Sequence, residues 1–173
     1  MEYLSILACV ASVYFVSQFS TTTIIDWGHV YLPPIPSFIP HVLAGGLGAA
    51  ALFTSKIRRV VTDVYAPAML IKAILIPFTI LPDANPECST LHPLKCLTRN
   101  DMLPSGHMII AYCASLAIGT HMSKFAAIVT GVCLIASRMH YCVDILLALV
   151  LCRLLDNGGR ITKCHSWGKT GLH

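Results

Sequence analysis

Two short stretches of the chain hold residues that could do chemistry. "DMLPSGHMIIAYC", residues 101–113, sets Ser105, Gly106 and His107 directly before an apolar run. "SRMHYCVDILLALVL", residues 137–151, crowds Arg138, His140 and Asp144 at the start of another. His140 and Asp144 are spaced i, i+4, so they share one face of a helix. A carboxylate there accepts one ring N–H, fixes the tautomer and leaves the second ring nitrogen more basic. His107 opens a facing helix, where unpaired backbone N–H groups and the helix dipole favour an anion. Ser105 adds a hydroxyl, Gly106 a backbone that permits close approach, and Arg138 a planar donor fork suited to phosphate. Two histidines, a carboxylate and an anion cradle are what phosphoryl transfer through a phosphohistidine requires. The plainer alternative is a structural His/Asp ion pair. His29, His41, His92 and His121 read simply as interfacial histidines.

The elements that must position these residues are apolar. Of 173 residues, 55% are hydrophobic and 12% charged, with a mean hydropathy of +0.71. A water-exposed domain of this size carries about a quarter charged residues, and here the deficit runs along the whole chain. Apolar runs fall at 4–19, 41–55, 64–81, 106–121, 124–138 and 140–155. The reading is an all-α membrane protein, a six-transmembrane-helix bundle over residues 1–155 followed by a short polar tail, 156–173. A single helix through 124–155 would strand Arg138, His140 and Asp144 near mid-bilayer, which costs about 2.5–3.5 kcal/mol per charge. A turn at "SRMHYC" is therefore expected.

The basic residues give the bundle an orientation. Lys56, Arg58, Arg59, Lys124, Arg153, Arg160, Lys163 and Lys169 fall on the side that holds both termini, which should be cytosolic. Both motifs then face the lumen or the cell exterior, in an integral membrane protein of the Golgi, endoplasmic reticulum or plasma membrane. The net charge of +4 is modest and needs no nucleic acid to explain it. Most of the eight cysteines lie in apolar runs and behave as small hydrophobes. Cys88 and Cys96, which share a polar loop, are the one pair placed for a disulfide. No Cys/His spacing suggests a metal. Small-residue spacing from Gly45 to Ala49 permits helix packing, within the chain or in a homo-oligomer.

"NDMLPSGHM" followed by "SRMHYCVD" resembles the paired signature of the sphingomyelin synthases and their relatives, within the type 2 phosphatidic acid phosphatase superfamily. Asp101, Ser105, Gly106 and His107 match the first element, and His140, Tyr141, Val143 and Asp144 the second. "RRVVTDVYAPAMLIKAILIPFTILPDANPEC" and the Pro-rich "PPIPSFIP" are similar to further family segments. Asn100, Met108 and Cys142 depart from the pattern, but no member of the His/His/Asp set is missing. The resemblance implies that His140, oriented by Asp144, attacks the phosphorus of a glycerophospholipid such as phosphatidylcholine. His107 would protonate the departing diacylglycerol and then deprotonate ceramide or another lipid alcohol, with no cofactor and no metal. Trp27, Tyr31 and Tyr141 are candidates for an aromatic cage around a quaternary ammonium.

Two alternatives stay open. One is a lipid phosphate phosphatase of the same superfamily, whose motifs "PSGH" fits. However, "SRMH" places one residue between Arg and His where that pattern has five, and Lys72 is followed by no Arg-Pro. The other is a non-catalytic membrane scaffold.

Overall fold

The structure, a computed structural model, describes residues 26–76 and 103–156 together with Leu7 and Ala11. Asp101, Cys88, Cys96 and the tail beyond Asp156 lie outside the described residues. Helices and turns make up the described chain, with no strand among its residues: α1 (Trp27–Tyr31), α2 (Phe38–Leu52), α3 (Ile57–Val60), a π-helical turn (Val61–Tyr65), α4 (Ala66–Leu75), α5 (Gly106–Ile118), α6 (His121–Ala136) and α7 (Cys142–Leu155).

The expected six-span bundle is overturned: among the described residues no helix is both long and apolar enough to cross a membrane. Among the described residues the longest single α-helix, α6, has 16 residues. At 1.5 Å rise it reaches about 24 Å, short of the roughly 30 Å of a hydrocarbon core. Among the described residues helical backbone runs further only from Ile57 to Leu75, and that stretch carries Arg58, Arg59, Asp63 and Lys72. The cytosolic–lumenal orientation and the integral-membrane localisation depended on those spans and fall with them. Several of the apolar runs fall short of the roughly 17–25 residues that a span needs and had to borrow flanking residues, and the helix ends do not lend them. Gly119, at φ 76, caps α5 in the left-handed region and turns the chain into α6. Pro67 lacks the N–H that α4 would need to bond back to Asp63, and the π-helical turn sits there instead.

Helix α5 is the centre of the fold. It touches α2, α3, the π-helical turn, α4, α6 and α7, and buries Met108, Ile109, Ala111, Cys113, Ala114, Leu116 and Ala117. Its neighbours answer with small residues, Ala51, Ala68, Ala127 and Ala148, so the helices approach closely. Many larger apolar side chains face outward instead, among them Phe53, Tyr31, Met122 and Leu154. The Gly45–Ala49 stripe of α2 is exposed as well.

The alternation of α5, α6 and α7 puts the starts of α5 and α7 at one end. The break between α6 and α7 falls at residues 137–141, within "SRMHYC". Arg138 makes this turn at φ 59, and the N–H groups of Met139 and His140 both point back to the Leu134 carbonyl.

Candidate active site

Each motif residue is held by a local device. Ser105 is the N-cap of α5, its Oγ accepting from the Met108 N–H at 3.3 Å. Its own N–H donates to the Asp144 carbonyl at 3.2 Å, which ties the start of α5 to the first turn of α7. Asp144, fully buried, closes a capping box: Oδ2 accepts from the Tyr141 N–H at 2.8 Å. The same oxygen lies 3.4 Å from His140 Nδ1. With Nδ1–H donating to it, Nε2 of His140 is the basic nitrogen.

The two motifs meet. The His107 and His140 rings stand 6.1 Å apart, centre to centre, at 61°. Ser105 and Gly106 lie beside His107 at the helix start. The expected phosphate donor Arg138 instead turns its Nη2 to the Leu32 carbonyl, at 3.4 Å. Tyr141 is buried against His29, ring centres 5.2 Å apart. Trp27 and Tyr31 instead stack on each other at 5.9 Å and are largely exposed. The three aromatics thus divide between a buried and an exposed environment, which is not the arrangement of a single cage.

Three further residues also arrive here: Lys72, weighed in the sequence only against the phosphatase pattern, and His41 and His29, read there as interfacial. Lys72 of α4 is 2% exposed, and its Nζ donates to the Pro104 carbonyl at 2.7 Å, one residue before Ser105. His41, in the first turn of α2, has Nδ1 2.8 Å from His107 Nε2. His29 donates from Nε2 to the His140 carbonyl at 2.9 Å and so braces the backbone of that residue. Sequence offered one usable signal: His41, like His107, stands at the mouth of an apolar helix after a Pro-containing stretch.

Helix α1 is clamped over this end by Asp26. Its carboxylate accepts from the N–H groups of Cys142 (2.8 Å) and His29 (3.2 Å) and from the Cys142 thiol (3.2 Å). Burial alone would raise the Asp26 pKa, but these hydrogen bonds outweigh it and hold the carboxyl below its usual range. Gly28 makes the close approach possible. A Cβ there would stand 2.5 Å from Ile135 Cγ2 and 2.6 Å from Cys142 Sγ. Gly28→Ala should therefore cost about 1–3 kcal/mol by overpacking, read as a lowered denaturant midpoint. An unchanged midpoint would mean that α1 does not dock as described.

The electrostatics favour an anion. Burial, then the positive charge of His140, His41 and Lys72, push the His107 pKa from 6.5 down to about 4. Unfolded His107 therefore binds more protons than folded His107 between these values, so stability should rise with pH across that window. Its contribution is complete above about 6.5 and is lost as the pH falls towards about 4. Thermal midpoints measured across the window should climb less steeply in His107→Gln than in the wild type. Parallel curves would remove His107 as the source.

No model of a protein family, no curated protein and no solved structure matches the chain.

Proposed function

We propose that the chain is a histidine-dependent phosphotransferase that moves a substituted phosphate, phosphocholine or phosphoethanolamine, from a glycerophospholipid to ceramide or another lipid alcohol. The observation that carries this reading is the meeting of His107 and His140 from two separate motifs, with Asp144 behind His140. His140 Nε2 attacks phosphorus, the bond to the diacylglycerol oxygen breaks, and His107 supplies the proton to that oxygen. In the second half His107 takes the proton of the acceptor hydroxyl, whose oxygen displaces the phosphate from His140. His41 gives His107 a second ring through which that proton can move. Lys72 and the N-terminus of α5 stabilise the phosphate charge. A bound anion offsets the repulsion among these cations and lifts the depressed pKa of His107 towards that of a working acid. The outward-facing apolar side chains suit substrates with acyl chains.

A lipid phosphate phosphatase, with water as the acceptor, is the second reading. It is favoured by the position of Lys72 beside Pro104 and Ser105, although no Arg-Pro follows that lysine and the Arg138–His140 spacing departs from the phosphatase pattern. The test is incubation of the purified chain with headgroup-labelled phosphatidylcholine and fluorescent ceramide, with products separated by thin-layer chromatography. Label on ceramide supports the transferase. Hydrolysis of phosphatidate with no transfer selects the phosphatase. No turnover of either lipid would sink both.

A further inference from the structure

A cleft of about 620 Å³ opens between α5, α6 and α7, away from the two histidines. Met108 and Ile145 line the end nearest His107 and Asp144; Val132 and Leu149 line its length. Lys124, near the start of α6, and Arg153, near the end of α7, line the opposite end. Such a volume is in the range of pockets for small ligands, about 300–1,000 Å³. The charges at the far end are unequal. Arg153 shares its charge with the buried Asp156, Nη1 to Oδ2 at 3.8 Å, whereas Lys124 is exposed. Lys56 adds a positive field at this end, its Nζ standing 3.5 Å from the Cβ position of Gly119 in the turn between α5 and α6. An apolar slot closed at one end by a small excess of positive charge matches an apolar chain that ends in a single negative charge.

We propose that this cleft is a binding site for one long-chain carboxylate. Its head group lies between Lys124 and Arg153, and its chain runs along Leu149 and Val132 towards Met108. The site is independent of the chemistry at the histidines, although its apolar end reaches the residues that follow His107 and Asp144 in sequence.

The test is calorimetric titration of the purified full chain with dodecanoate, dodecanol and dodecylamine, each below its micellar concentration. Dodecanoate should bind with one site per chain, about tenfold more tightly than dodecanol, the amount expected for a charge-assisted contact near the surface. Dodecylamine should bind more weakly than either. Lys124→Gln combined with Arg153→Gln should abolish the preference for the acid. Val132→Trp, at a half-exposed position that can accept a large side chain, should reduce dodecanoate binding at least tenfold, with the helical circular dichroism unchanged. Equal affinity for acid and alcohol, several non-saturating sites, or full binding by folded Val132→Trp would each overturn the proposal, because adsorption to outward apolar side chains would then account for the signal.

Discussion

His140→Ala should fold and yet lose phosphotransfer by at least about 1,000-fold, the scale seen when a nucleophile or its base is removed from a working set. The backbone contacts at this residue do not need the imidazole: His29 binds the His140 carbonyl, and the His140 N–H points to Leu134. The ring lies at the meeting of α5 and the turn before α7, so its loss opens space towards the site and spares the core around Ala111 and Ala148. With a donor labelled at phosphorus, the wild type should carry acid-labile, alkali-stable label on protein, and His140→Ala none. Free imidazole should restore part of the turnover. A variant that still transfers label at the wild-type rate would mean that His140 is not the nucleophile.

Asp144→Asn should cost about 10²–10⁴ in turnover at saturating donor and change stability far less, by about 1 kcal/mol or below. The two effects separate because the carboxylate has two tasks. As a cap it accepts from the Tyr141 N–H, and an amide oxygen can still do that. As the orienting group for His140 the same oxygen faces Nδ1, and an amide oxygen there keeps the contact but not the negative charge that makes Nε2 basic and stabilises the cationic ring. Turnover and thermal midpoint measured on the same preparation decide the matter. A fall in activity no larger than the fall in stability explains would reduce Asp144 to a cap.

How far the sequence reaches is clearest at single residues. The pairing of His140 with Asp144 was legible from their spacing, but the expected shared helix face is not what makes it: His140 lies in the turn before α7, and the Asp144 carboxylate that caps the helix reaches back to it. The turn at Arg138 was legible from charge, since a continuous helix would have placed three polar groups among apolar ones. Ser105 reads in the sequence as a hydroxyl for an anion, and its role as the cap of α5 emerges only from its bond to the Met108 N–H. Lys72 was not legible, because nothing in its own helix points to Pro104; only the packing of α4 against α5 brings the two together. His41 and His29 reach the site the same way, through α2 and through the Gly28 contact. The membrane reading failed for a different reason. Composition reports how much apolar surface a chain has, whereas crossing a bilayer requires that surface on an unbroken helix. Here it is divided among shorter helices ended at Phe53, Gly119 and Ser137.

Arg138 is, among the described residues, the single non-glycine at positive φ. A side chain there costs about 1 kcal/mol relative to glycine, and its hydrogen bond to Leu32 is long and partly solvated. The turn therefore sets durability against performance. Arg138→Gly should melt at the same temperature as the wild type or higher while transferring phosphate more slowly. If the glycine protein is more stable and equally active, the arginine serves neither end. If it is more stable and slower, the hinge between α6 and α7 holds its conformation under tension for the sake of the guanidinium.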